Sequence, residues 1–277
     1  MTRRKQKKTR RTHGVDQGAN VPLNSVDAYL DSIALGEPQP YGQFRQLLLD
    51  KFPQLAKQFL PILGERSRDS EETMVSPYVV KNRDLDFSLT IASQFTGSQF
   101  RAYLRWFSET VDVKPRTIVD VGCDNGILTC FYASRFPEAD VVGVDPHGEA
   151  IECATKLALR LNLANVRFHK ASLSEFANAH GQGLTELITL TMLKDEHEGI
   201  RDTIPGSLDR MLAPETGRLV CFELAGQDFS SWIEFLATAR LAKEHGPAAL
   251  EFEHGGEGAR VPATGCIMKR SNNVRAR

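Results

Sequence analysis

No stretch of this sequence is apolar over the roughly 20 residues that a membrane-spanning helix needs, so no helical membrane span is expected. Paired metal-ligand spacings are also missing. The five cysteines (Cys123, Cys130, Cys153, Cys221 and Cys266) are scattered and odd in number, which argues against a zinc module or a disulfide scaffold. Several of them fall in apolar runs, where a cysteine acts as a small buried residue. A reducing, cytoplasmic setting with no metal and no disulfide is the expectation. An excess of charge of one sign is lacking too, since the formal net charge is −1.

That near-neutral sum hides an asymmetry. Residues 1–13 hold Arg3, Arg4, Lys5, Lys7, Lys8, Arg10 and Arg11 and no acid, which leaves the rest of the chain acidic. No apolar core follows this basic run, so it does not read as a secretory signal. It reads as a solvated tail, a nuclear address or an arm for RNA phosphates. At 277 residues, the chain can hold one large α/β domain with an extension, or two modest domains.

The most informative stretch is Thr117–Pro146. It opens with Thr117-Ile118-Val119-Asp120-Val121, turns through Gly122-Cys123-Asp124-Asn125-Gly126, and continues as Ile127-Leu128-Thr129-Cys130-Phe131-Tyr132-Ala133. Asp140-Val141-Val142-Gly143-Val144-Asp145-Pro146 follows. A β-branched run, a glycine turn, an apolar helix and a second strand ending in a carboxylate make a βαβ unit. Such a unit binds nucleosides at the carboxyl edge of a parallel sheet. Glycines let the chain turn sharply and approach a ligand. Free amides at the following helix start can hold a carboxylate. Asp145 is placed to accept both hydroxyls of a ribose. The dinucleotide pattern would need glycine at Asp124 and Ile127, so an NAD site is disfavoured.

Those residues resemble the first two motifs of class I S-adenosylmethionine-dependent methyltransferases. The resemblance implies S-adenosylmethionine as cofactor. It places Gly122, Cys123, Asp124 and Gly126 in the loop around the methionine part, Asp120 beneath it, and Asp145 with Pro146 at the ribose. Asp124 departs from the pattern by replacing the middle glycine. It would bring a carboxylate near that of the ligand, or face the ligand's ammonium. Many members bind the adenine amino group through an acidic residue at a place that here reads Lys170-Ala171-Ser172, so Ser172 or a backbone group would serve. His147 is a candidate border of the adenine pocket or simply an exposed histidine.

The rest of the chain can be read around this unit. Residues 1–24 read as a basic, disordered tail. Residues 25–112 read as a mostly helical extension, and the resemblance implies that such an extension covers the pocket and selects the substrate. Its first helix carries Val26, Tyr29, Leu30 and Ile33 and ends at Gly36. Two amphipathic stretches follow from Phe44 and from Pro53, then a charged link over 65–72, and a stronger helix begins at Ser98. Residues 113–270 read as the cofactor domain, and 271–277 as a flexible end. Strands are expected near 166–169, 186–191 and 217–223, with a helix over 200–213 interrupted near Pro205-Gly206. A closing hairpin should pair 249–254 with 261–269. The fold class is therefore α/β: a Rossmann-like, seven-stranded methyltransferase sheet of five parallel strands plus an antiparallel hairpin.

Methyl transfer from a sulfonium needs alignment, a dry site and sometimes a base. Asp195, Glu196 and His197, just past the fourth strand, are the candidate bases or substrate-orienting groups. The Asn/Asp-Pro-Pro-aromatic tetrad of base amino methylases is absent after Leu190. The Pro-Cys pair of pyrimidine carbon methylases and the paired-glutamate loop of arginine methyltransferases are absent as well. A small-molecule oxygen or nitrogen acceptor is the leading reading. The alternatives are an RNA methyltransferase using residues 1–13, and a binding protein that kept the fold and lost transfer.

Overall fold

A computed structural model of the chain describes residues 25–64, 76–192, 201–224, 229–254 and 259–271. Among the described residues, six helices precede the sheet: α1 (Val26–Ser32), α2 (Tyr41–Lys51), α3 (Pro53–Gly64), α4 (Pro77–Lys81), α5 (Leu85–Phe95) and α6 (Gly97–Thr110). Ser25 caps α1 by accepting the Ala28 amide at 3.1 Å. Asp84 does the same for α5 from the Phe87 amide at 2.9 Å. Such caps satisfy amides that the first helical turn leaves without partners. Helix α1 stops where Ala34 turns left-handed at φ 56°, before the expected Gly36. Helices α4 and α5 fall where the sequence reading placed no element.

The sheet alternates with helices from there on: β1 (Thr117–Val121), α7 (Ile127–Arg135), β2 (Asp140–Asp145), α8 (Gly148–Arg160), β3 (Val166–Lys170), α9 (Leu173–His180) and β4 (Leu187–Thr191). A short 3-10 turn and α10 (Ile204–Met211) lead to β5 (Arg218–Leu224). Then come α11 (Phe229–Ala237), β6 (Leu241–His254) and β7 (Ala259–Arg270). The strand order is β3-β2-β1-β4-β5-β7-β6. The first five strands run parallel, and β7 joins β5 and β6 antiparallel. This is the expected seven-stranded architecture.

Two local expectations are corrected. Pro205 does not interrupt a helix: it sits in the first turn of α10, where the missing N–H removes no internal hydrogen bond. The hairpin is longer than expected, because β6 already starts at Leu241 and continues through register shifts between Lys243, His245 and Ala248. Such a bulge absorbs extra residues and bends the strand without ending it.

Alternation along the strands gives the sheet two apolar faces. Ile118, Val141, Leu187, Val220 and Phe222 pack with Tyr29, Tyr103, Phe107, Phe131 and Tyr132 of α1, α6 and α7. Val119, Val121, Val142, Val144, Ile188, Leu190 and Leu219 pack on the other side with Phe176, Leu208, Met211 and Trp232. The extension has a third cluster of its own, Phe44, Leu48, Ala56, Phe59, Val80, Phe87 and Ile91. This cluster fixes the end of α4 beside the carboxyl edge of the sheet. Among the described residues, no helix is long and apolar enough to cross a membrane.

Candidate cofactor site

The carboxyl ends of β1 and β2 meet in one knot of polar side chains. Asp120, buried inside β1, accepts the Thr129 hydroxyl on Oδ2 and the Thr189 hydroxyl on Oδ1, both at 2.6 Å. Burial pushes its pKa up to about 6 against the pull of those two hydroxyls, and the Asp145 charge pushes it further the same way. Asp120 thereby ties β1, α7 and β4 together beneath the turn.

The turn itself is held by backbone. Gly122 at φ 71° and Cys123 both donate their amides to the Val144 carbonyl, at 2.8 and 3.1 Å. The Gly126 amide closes the turn on the Cys123 carbonyl at 2.9 Å. Gly126 has φ +81°, and a Cβ there would lie 2.7 Å from the Ala154 Cβ and 2.9 Å from its Cα. This glycine is required by the close approach of α7 to α8, a reason separate from any ligand. The Cys123 thiol is buried, and that burial raises its pKa well above the usual value.

Asp145 ends β2 with only 3 % of its surface exposed. Its Oδ1 accepts the His147 amide at 2.9 Å. Its Oδ2 accepts the Asp124 amide at 3.1 Å and the Tyr78 hydroxyl at 2.8 Å. Pro146 and His147 are exposed just beyond it. Tyr78 belongs to α4. Its ring lies 4.8 Å from the His147 ring and 4.7 Å below the Lys81 ammonium. Burial and the Asp124 and Asp145 charges push the Tyr78 hydroxyl pKa far up, so it remains a donor.

Asp124, at φ 47°, points its carboxylate at the extension. Lys81 Nζ meets Oδ2 at 2.6 Å, and Asn82 Nδ2 donates to Oδ1 at 2.7 Å. The replaced glycine therefore has a local explanation: the extra carboxylate fastens the turn to residues 81 and 82. Asn82 is itself fixed. The Ser88 hydroxyl donates to its Oδ1 at 2.9 Å, and the Cys153 thiol donates to its carbonyl at 3.0 Å. Ser172 caps α9 in a reciprocal box. Its hydroxyl accepts the Glu175 amide at 3.3 Å, and its own amide donates to Glu175 Oε2 at 2.8 Å. That hydroxyl serves the helix start. Asp195, Glu196 and His197 lie outside the described residues.

Sequence reasoning brought together Asp120, Gly122, Cys123, Asp124, Gly126, Asp145 and Pro146, and the structure gathers them at this edge. It missed Tyr78, Lys81 and Asn82. A signal for them existed in Ser76-Pro77, an N-cap followed by proline at the first helical position, and in the apolar spacing Leu85, Leu89 and Ala92 after Asp84.

A parallel sheet closed by an antiparallel β7, with a carboxylate ending β2 beside a glycine turn, defines the class I methyltransferase fold. A precorrin-6y C5,15-methyltransferase structure from Geobacter metallireducens shares it. Its TM-score is 0.50 at 14% identity, covering 64% of this chain and 90% of that one. Residues 118–202 match the family model described as a methyltransferase domain. Residues 118–202 thus carry a methyltransferase domain on a sheet with the Rossmann-like fold of the class I S-adenosylmethionine-dependent methyltransferases, and S-adenosylmethionine is the cofactor this domain indicates. Short stretches also resemble two curated proteins. One is a tRNA (guanine-N(7)-)-methyltransferase of Rubrobacter xylanophilus, 42% identical over 18% of this chain and 22% of that protein. The other is a trans-aconitate 2-methyltransferase of Pseudomonas paraeruginosa, 44% identical over 17% of each. The matches thus span about a fifth of those relatives' length.

Proposed function

We propose that this protein is a methyltransferase acting on an oxygen or nitrogen of a small-molecule acceptor. The observation that carries the reading is Asp145: a buried carboxylate at the end of β2, beside the Gly122–Gly126 turn and above the locked Asp120. A carboxylate in that place suits the paired hydroxyls of a ribose, and the turn leaves backbone, not side chain, beside the ligand. S-adenosylmethionine, when bound, supplies an already activated methyl group, so the protein's own task is to orient the acceptor, exclude water and accept a proton. Asp195, Glu196 and His197, which follow β4, are proposed for the proton. Residues 25–112 are proposed as the substrate-selecting extension of a cofactor domain over 113–270. Support for a small acceptor comes from the acidic character of the chain beyond residue 13.

A second reading, RNA as acceptor, is favoured by the basic run at 1–13 and by the relative named for tRNA. Methyl label offered to separated RNA and metabolite pools distinguishes the two. Label in RNA that disappears on deleting 1–13 would replace the first reading.

The cofactor site is tested by calorimetry with S-adenosylhomocysteine on the parent and on Asp145→Ala. Hydrogen bonds to a charged acceptor contribute about 1.5–3 kcal/mol each, so affinity should drop by at least tenfold. Equal affinities would remove Asp145 from the site.

A further inference from the structure

The Asp145 carboxylate, which the proposed function assigns to a ribose, is already engaged by the chain itself. Three donors converge on it: the amides of Asp124 and His147, and the hydroxyl of Tyr78. The two amides are backbone groups of the turn and of the start of α8, so they stay with the fold. The Tyr78 hydroxyl is different, because it arrives on a side chain from 67 residues away. With that hydroxyl in place, Asp145 is almost wholly covered.

We propose that Tyr78 is a gate on the cofactor site, which must release Asp145 before a ribose can take its place. The inference rests on the methyltransferase reading of the site. The anchoring of α4 limits what moves. Val80 and Asn82 at its far end are 1% and 2% exposed. Asn82 is fastened to Asp124, Ser88 and Cys153, and Lys81 is paired with Asp124. Tyr78 lies at the opposite end of this five-residue helix, behind Ser76 and Pro77. Rotation of one side chain opens the carboxylate while Lys81, Asn82 and the turn remain where they are. His147, the ring that Tyr78 packs against, is exposed.

The gate has an energetic signature opposite to that of a ligand contact. A ligand meeting a site that is open only part of the time binds with its intrinsic affinity scaled by the open fraction. Tyr78→Phe keeps the ring on Lys81 and His147 but removes the hydrogen bond that holds the closed form. It should therefore raise the affinity for S-adenosylhomocysteine, by roughly tenfold for a hydrogen bond to a charged acceptor. If Tyr78 were a cofactor contact, the same change would weaken binding.

The experiment is calorimetry with S-adenosylhomocysteine on the full chain as parent, Tyr78→Phe, Tyr78→Ala and Asp145→Ala, with circular dichroism to confirm folding. Tighter binding by Tyr78→Phe supports the gate, as does binding by this variant alone. Equal or weaker binding by Tyr78→Phe, while Asp145→Ala abolishes binding, overturns the gate and leaves the cofactor site standing. Unchanged binding by Asp145→Ala overturns the site reading and the gate with it, and so does failure of every protein to bind. A second readout follows Tyr78 directly, through nitration by tetranitromethane located by peptide mass. Saturating S-adenosylhomocysteine should increase nitration at Tyr78 in the parent; protection of Tyr78 would overturn the gate.

Discussion

Gly126→Ala adds one methyl group at the tightest point of the cofactor turn. Two costs can be worked from the structure. The residue sits at φ +81°, and holding an L side chain in the left-handed region costs roughly 1–2 kcal/mol. The new Cβ would also lie 2.7 Å from the Ala154 Cβ and 2.9 Å from the Ala154 Cα, with Phe168 Cε1 at 3.3 Å. The Ala154 Cα is backbone of α8 and cannot rotate away, so relief requires the helix to shift; overpacking of this kind costs roughly 1–3 kcal/mol. The sum is a loss of about 2–5 kcal/mol, a large part of the stability of an ordinary domain. Gly148→Ala is the matched control, because a Cβ there meets nothing nearer than the flexible Lys170 Nζ at 3.5 Å. Urea unfolding followed by far-ultraviolet circular dichroism compares them. Gly126→Ala should lower the midpoint strongly at unchanged slope, while Gly148→Ala should leave it within about 0.5 kcal/mol of the parent. A loss below about 1 kcal/mol for Gly126→Ala would refute the packing argument and return this glycine to a role set by ligand space alone.

Asp120 gives a pH dependence. Its carboxyl is raised from 3.8 to about 6, so the folded state takes up this proton before the unfolded chain does. The cost of burying the charge is fully present above pH 6 and fades as pH falls toward 3.8. Relative to Asp120→Asn, the parent should therefore gain about 2 kcal/mol between pH 7 and 4. A flat difference between the two proteins in urea titrations at each pH would refute it. For the ion pair, a double-mutant cycle of Lys81→Met and Asp124→Asn should return a coupling of about 1–2 kcal/mol, since both side chains are mostly shielded from water. Additive single-mutant effects would show that the pair does not fasten the turn to the extension.

Asp124 shows why such fastening matters for reading motifs. Beside a glycine turn, a carboxylate suggests a ligand contact or a damaged site. Here its charge is met by Lys81 and Asn82, and the extension becomes part of the cofactor edge through it. Tyr78 reaches Asp145 from the same short helix. The proposed gate and the fastening of the turn to the extension thus lie on a single covalent segment, residues 76–82.

The sequence by itself determined the elements and their order from Thr117 onward. β-Branched runs, the glycine turn, apolar helical spacing and the carboxylate ending β2 are local patterns, and each element is specified by residues within one or two turns of itself. These patterns gave the parallel strands, the turn residues Gly122 and Gly126 and the place of Asp145, and the resemblance to the methyltransferase family completed them as a seven-stranded sheet. Tertiary structure alone decided what those residues touch. Tyr78 to Asp145, Lys81 to Asp124 and Asn82 to Asp124 span 67, 43 and 42 residues, and no periodicity links positions so far apart. Helix α4, five residues long, is too short to show a period, and beyond its Ser76 cap and Pro77 it is held by the packing of Val80 in the extension's cluster. The second job of Gly126 was hidden for the same reason: the atoms it must avoid belong to Ala154 and Phe168, which only folding brings beside it.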